Sequence, residues 1–168
     1  MSILIKNGRI ITASDDYKAD IFIEGEKIVS IGKNLKVEAD EVINARGKLA
    51  FPGGIDPHVH LEMPFMGTYS SDSYATGTRA ALHGGTTMVI DFVLQTQGKS
   101  LYHALRQWQG RATGNTYGDY SFHMAVTDFN DKTKAEIKEL IEKEGITSFK
   151  TFMAVSYTHL TLPTICSV

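Results

Sequence analysis

An alternation of strand-like and helix-like segments after Phe51 restricts most strongly what this 168-residue chain can fold into. Strands are predicted at residues 55–61, 86–94, 120–126 and 146–154, and helices at residues 73–83, 101–111 and 133–144. Parallel neighbouring strands need a long connection, which is usually a helix. The alternation therefore predicts an α/β fold with a parallel sheet.

Four strand–helix units in a row fit two architectures. They favour the first half of a (β/α)8 barrel, but a complete four-stranded open sheet has the same pattern. A full barrel takes about 250 residues, and the chain has far fewer after Phe51. Length alone does not separate the two.

The first 51 residues consist of short β-branched runs between turn residues. Asn7 and Gly8 lie between two such runs, which is a strong signal for a tight hairpin. This part is predicted to be a small, mainly antiparallel β region, with one face that must be covered. The expected domains are residues 1–51 and 52–154, followed by a tail at 155–168.

Composition excludes several classes of partner and location. The net charge is −2, from 17 basic and 19 acidic side chains, which argues against nucleic acid or an anionic membrane as a partner. The single cysteine, Cys166, cannot form an internal disulfide. The apolar run at the start is too short for a signal peptide, and no stretch could cross a bilayer. We therefore expect a cytoplasmic protein.

Two histidines follow a glycine-rich turn at the start of the strand–helix series. Side chains alternate along a strand, so His58 and His60 point to the same face and could share a divalent metal ion. Histidines at this spacing more often face solvent or a polar cavity. The context favours metal here, because barrel active sites gather at the carboxyl ends of strands.

Two further residues belong to this hypothesis. Lys150 lies in an otherwise apolar strand, where burial would favour a neutral amine that can add carbon dioxide and bridge metals as a carbamate. Without the two histidines in the same series, the simpler interpretation of Lys150 would be an edge-strand lysine whose amine reaches solvent. Asp56 has the parity of His58 and could orient an imidazole from behind, or it is a turn residue before Pro57.

The other candidate side chains carry weaker signals. His83 is expected to be structural at a helix end, His103 to lie on a helix surface, and His123 to be a satisfied core histidine. Asp91 is an isolated acid in an apolar strand. It either supports a metal ligand or is a buried, hydrogen-bonded carboxylate, and both alternatives stay open.

Residues 1–154 resemble the amino-terminal part of dihydropyrimidinases and D-hydantoinases, which belong to the amidohydrolase superfamily. The matching stretches are residues 51–65, 84–92 and 145–154. The resemblance implies the first half of a (β/α)8 barrel, preceded by a small β-sandwich region. It also implies two divalent metal ions, usually zinc, with His58 and His60 on one ion and carboxylated Lys150 bridging both.

The resemblance also implies an activity and a substrate class. Such enzymes hydrolyse cyclic ureides, such as dihydropyrimidines and hydantoins, to N-carbamoyl amino acids, and they are commonly homotetramers. Dihydroorotase-like relatives have an arginine where this chain has Glu62, which argues against an anionic ring substrate. The alternatives are a non-catalytic scaffold relative, which would lack the metal-binding histidines, and another amidohydrolase such as an allantoinase.

Some of the family's functional residues have no counterpart here. Its two further histidines and its catalytic aspartate come from later strands, and its tyrosine position is Val155. We do not transfer the tyrosine's role to Tyr157, so no catalytic residue is assigned. The match ends abruptly at residue 155, and we expect residues 155–168 to be foreign or frameshifted and the chain alone to be poorly folded and inactive.

Overall fold

The computed structural model describes residues 1–65 and 67–152. The chain divides into two compact units, Met1–Pro52 and Gly53–Val168. The tail at 155–168, with Val155 and Tyr157, lies outside the described residues. None of the helices in the described ranges has the length and apolar character needed to cross a membrane.

The first unit is one five-stranded sheet. Its strands are β1 (Ser2–Ile11), β2 (Asp16–Glu24), β3 (Lys27–Gly32), β4 (Glu41–Asn44) and β5 (Leu49–Ala50). Their order is β3-β2-β1-β4, and β5 also pairs with β1. The β1–β2 and β2–β3 pairs are antiparallel, whereas β4 and β5 run parallel to β1. The sheet is therefore mixed, and most of its paired residues are antiparallel, as predicted.

The hairpin predicted at Asn7 and Gly8 is wrong. Strand β1 continues through these residues and accommodates one extra residue in a β-bulge, since Ile5 pairs with Ile21 and Gly8 with Ala19. Asn7 has a φ of 63°, in the left-handed region that asparagine tolerates better than most residues. Asn-Gly thus meets the backbone requirement of a bulge as well as that of a turn.

The second unit contains a four-stranded parallel sheet. Its elements are β6 (Gly54–Val59), β7 (Pro64–Phe65), β8 (Thr68–Tyr69), α1 (Tyr74–His83), β9 (Thr86–Leu94), α2 (Leu101–Ala112), β10 (Asp119–Val126), α3 (Asp131–Glu144) and β11 (Phe149–Thr151). The parallel sheet has the order β11-β10-β9-β6, and β7 and β8 form a separate small hairpin. Consecutive strands are therefore neighbours throughout, as in a barrel, without the reversal typical of an open doubly wound sheet. The α/β half-barrel prediction is confirmed.

Helix boundaries follow local capping chemistry. Ser73 and Asn130 cap α1 and α3, each in a capping box with the threonine three residues on. At the end of α3, the N–H groups of Gly145 and Ile146 both donate to the Leu140 carbonyl oxygen. Ile146 therefore completes the helix cap instead of starting a strand, which is why β11 begins at Phe149 and not at residue 146 as predicted.

All three helices pack on the same face of the parallel sheet. The buried cluster on this face contains Leu61, Tyr74, Val89, Val93, Leu101, Ala104, Leu105, Trp108, Ala112, Phe122, Met124, Val126, Leu140 and Ile146. Alternate residues of the same strands point to the opposite face. We call these the helix-covered face and the cavity face.

Candidate metal centre

The two histidines at the end of β6 lie against each other on the cavity face. The imidazole centroids of His58 and His60 are 5.1 Å apart, with their planes almost perpendicular. Both rings contact Phe92 of β9, at centroid distances of 4.6 and 5.3 Å. Phe92 thus forms an apolar support for the pair.

Lys150 is on the same face of the sheet as the histidines. Residues paired between neighbouring strands point to the same side, and Leu94 pairs with Ala125, which in turn pairs with Lys150. Phe92 shares the parity of Leu94, and the Lys150 Nζ lies 4.3 Å from the centroid of its ring. The amine and both imidazoles therefore contact one aromatic ring.

His60 and Lys150 line a common cavity of about 420 Å³. The volume falls in the range of small-molecule sites. Its apolar lining consists of Met63, Phe65, Phe92, Leu94 and Phe152. The remaining lining residues, Gln95, Gln97 and Thr127, are polar and uncharged.

The imidazole of His60 has one nitrogen without a hydrogen bond. Its Nδ1 is buried and has no hydrogen-bond partner within the described part of the chain. Burial lowers the pKa of His60, and the nearby His58 and Lys150 charges lower it further. A neutral imidazole is the form that binds a metal ion.

Asp91 lies next to His60 but on the helix-covered side of β9. Its side chain is fully buried, and it accepts hydrogen bonds from the Tyr74 hydroxyl (2.6 Å) and from the backbone N–H groups of Phe92 (2.6 Å) and Leu61 (3.3 Å). Burial raises the pKa of the Asp91 carboxyl, and the three donors oppose that rise. Its Oδ1 is 4.0 Å from the His60 Nδ1.

The other candidates make contacts that account for them locally. The exposed Asp56 accepts a hydrogen bond from the backbone N–H of His58 (3.0 Å), as a turn residue does. Both ring nitrogens of His123 have partners, the Ser148 hydroxyl and the Pro57 carbonyl oxygen. His83 and His103 are exposed on α1 and α2.

The donor set fits part of a metal centre. Among residues 1–65 and 67–152, no group of three or more histidine, cysteine, aspartate or glutamate side chains could hold a metal ion. The Lys150 amine contacts the same aromatic ring as the two imidazoles. The buried Nδ1 of His60 has no hydrogen-bond partner in the described residues, so it could donate to a supporting acceptor. These residues fit an incomplete site, to which further ligands must be added.

Several residues that shape the site carried no distinctive sequence signal. Phe92 reads as an ordinary apolar strand residue, and Tyr74 as a core residue of α1. The sequence relates Glu62 only to the choice of substrate, whereas in the structure its backbone is left-handed (φ 49°) and its carboxylate accepts a hydrogen bond from the Tyr74 N–H at the start of α1. The sequence does not predict this contact, because the contact depends on which residues the fold brings to the start of α1.

Comparisons with known proteins agree with this geometry. A family model described as the amidohydrolase family matches residues 49–164. The D-hydantoinase of Geobacillus stearothermophilus is 51% identical over 154 residues, which are 92% of this chain and 33% of that protein. The dihydropyrimidinase of Rattus norvegicus is 42% identical over 157 residues, covering 90% of this chain and 30% of the relative.

The structural comparison gives the same result. The crystal structure of dihydropyrimidinase from Brevibacillus agri matches with a TM-score of 0.90 and 49% identity, over 93% of this chain and 34% of that one. The chain thus spans about a third of the length of the relatives it matches. The resemblance to D-hydantoinases and dihydropyrimidinases is confirmed, and the chain belongs to the amidohydrolase family.

Proposed function

We propose that His58, His60 and Lys150 are metal ligands in a hydrolase that opens cyclic ureides such as dihydropyrimidines and hydantoins. The observation that carries the proposal is the position of Lys150, which lines the same 420 Å³ cavity as His60 and contacts the ring that supports both imidazoles. The names of the relatives supply the substrate class.

Each side chain has a defined part in this proposal. His58 and His60 would hold one divalent ion, zinc being the first candidate, and the lowered pKa of His60 keeps its imidazole neutral for that purpose. The Lys150 amine would add carbon dioxide and lose a proton, giving an anionic carbamate whose two oxygens can reach two ions. When bound, the ions would polarise the ring carbonyl and lower the pKa of a bound water.

The cavity walls would hold the flat substrate ring. Met63, Phe65 and Phe152 offer apolar surface, and water displaced from that surface by the substrate would strengthen the electrostatic interactions within the site. Hydrolysis of the ring amide would release an N-carbamoyl amino acid. We also propose that the whole protein is a cytoplasmic homotetramer; the near-neutral charge and single cysteine of the present chain support only the cytoplasmic location.

A substrate panel on the zinc-loaded whole protein tests this function. We expect hydrolysis of dihydrouracil and hydantoin to N-carbamoyl products, and little hydrolysis of dihydroorotate or allantoin. Lys150→Met should abolish turnover, whereas Lys132→Met, at an exposed position in α3, should not. Turnover of allantoin alone would indicate a different amidohydrolase, and a zinc-loaded protein inert on all four compounds would contradict the proposal.

A further inference from the structure

A buried ring nitrogen and a buried carboxylate oxygen lie close together beside the imidazole pair. The His60 Nδ1 has no hydrogen-bond partner in the described ranges, and the Asp91 Oδ1 lies 4.0 Å from it. That separation is longer than a hydrogen bond. A modest turn of the His60 ring would close it.

Asp91 is held from the helix-covered side. Its Oδ2 accepts from the Tyr74 hydroxyl and the Leu61 N–H, whereas its Oδ1 accepts from the Phe92 N–H. A carboxylate oxygen has two lone pairs, so Oδ1 can accept a second hydrogen bond. These three hydrogen bonds account for the orientation of this carboxylate, and Oδ1, the oxygen with remaining capacity, is the one that lies 4.0 Å from the His60 Nδ1.

Tyr74 fixes the carboxylate in this position. It is the first residue of α1, its side chain is fully buried, and its hydroxyl donates to Asp91 at 2.6 Å. Burial, first of all, and the Asp91 charge raise the pKa of the Tyr74 hydroxyl. The tyrosine therefore remains a hydrogen-bond donor, which ties the start of α1 to the end of β6 through one buried carboxylate.

We infer that Asp91 is a positioning residue that accepts a hydrogen bond from the His60 Nδ1–H and so leaves Nε2 unprotonated as the metal-binding nitrogen. A neutral imidazole has one ring proton, and a partner at one nitrogen decides which nitrogen keeps its lone pair. The metal-binding part of this inference rests on the proposed function. The part that concerns the tautomer of His60 does not depend on the proposed function.

The test compares Asp91→Asn with the wild type in the whole protein. Zinc affinity is measured by competition with a chromophoric chelator, and the His60 tautomer by nitrogen-15 NMR of the metal-free, histidine-labelled protein. We expect a loss of zinc affinity of roughly 10–100-fold, the usual range for such partners, and a shift of His60 toward the Nε2–H tautomer. Tyr74→Phe should change both readouts in the same direction by a smaller factor.

Asp20→Asn is the matched control. Asp20 is also a buried strand carboxylate, 4% exposed, and its two oxygens accept from the backbone N–H groups of Asn7 and Leu35. The substitution removes comparable hydrogen bonds in the other unit. It should leave zinc affinity and the His60 tautomer unchanged.

The outcomes separate the two proposals. Wild-type affinity and tautomer in Asp91→Asn would overturn the inference while leaving the metal site intact. A wild type that binds no zinc would overturn the proposed function, and the tautomer alone would then decide the inference, with Nε2–H in the wild type contradicting it. If Asp91→Asn does not fold, Tyr74→Phe with an unchanged tautomer and affinity would overturn it.

Discussion

The two faces of β9 differ in chemistry at two adjacent residues. Asp91 brings a buried carboxylate into the apolar, helix-covered face, whereas Phe92 brings an apolar ring among the imidazoles and the amine of the cavity face. Asp91 is unusual for its surroundings, whereas Phe92 belongs to the apolar lining of the cavity. Both residues lie close to His60. The Asp91 Oδ1 is 4.0 Å from the His60 Nδ1, and the ring centroids of Phe92 and His60 are 5.3 Å apart.

One strand can therefore stabilise the fold through one face and support a site with the other. The helix-covered face stabilises the fold through apolar burial, and the hydrophobic effect is not directional. The cavity face has nitrogen-bearing side chains whose orientation matters more than their burial. Substitutions on the two faces should therefore have different consequences.

The largest effect on stability is expected from the helix-covered face. Met124 of β10 is fully buried there, and Met124→Ala should lower the free energy of unfolding by about 2–5 kcal/mol because it leaves a cavity. The measurement is the denaturant midpoint of the metal-free whole protein. Leu94→Ala, on the cavity face and only partly buried, should cost about 1 kcal/mol.

Equal losses in these two variants would show that both faces are packed alike. The comparison between a structural face and a site face would then be wrong.

An intermediate loss of stability is expected from a substitution at Gln95, which directly follows β9. The buried Gln95 accepts from the N–H groups of Thr127 and Asp128, both at 3.0 Å, and donates to the Lys99 carbonyl oxygen. Gln95→Leu should cost about 1–3 kcal/mol, since it leaves these groups without a partner. Thermal or denaturant unfolding measures the change.

The control is Gln97→Leu, at an exposed residue that lines the same cavity. It should change the free energy of unfolding by less than about 0.5 kcal/mol. A similar cost for both glutamines would indicate a general effect of polarity in the cavity, not of these hydrogen bonds.

The smallest effect is the interaction between Lys150 and Phe92. The Nζ lies 4.3 Å from the ring centroid, so a double-mutant cycle of Phe92→Leu and Lys150→Met in the metal-free protein should give a coupling of about 0.5–1 kcal/mol. Unfolding free energies of the four proteins measure it. The same cycle with exposed Lys132 should be additive, and additivity for Lys150 would mean that the contact does not exist in solution.

Elements with strong local signals could be predicted from the sequence. The continuous apolar run places β9 at Thr86–Leu94, as predicted, and the amphipathic pattern gives α2 to within one residue. The hairpin prediction at Asn7 and Gly8 was wrong because a bulge and a turn both need a residue in the left-handed region. The predicted start of the fourth strand at Ile146 was wrong because an apolar residue after a helix-ending glycine is compatible with a helix cap as well as with a strand.

The site was predictable only as far as its ligands. The spacing of His58 and His60 and the apolar surroundings of Lys150 carry a chemical signal in the sequence itself. The roles of Phe92, Tyr74 and Asp91 depend on strand register and on the position of α1, which are set by tertiary packing. For Asp91, the sequence left two alternatives, and the structure shows a hydrogen-bonded carboxylate that also lies beside His60.

Metal stoichiometry is the most direct test of the central claim, that His58, His60 and Lys150 act on one metal centre. Zinc per chain is measured by elemental analysis of the whole protein and of His60→Ala, Lys150→Met and His103→Ala, the last being a control at an exposed histidine of α2. Our prediction is bound zinc in the wild type and in His103→Ala, and a clear loss of zinc in His60→Ala and Lys150→Met. Wild-type zinc content in His60→Ala and Lys150→Met would contradict it.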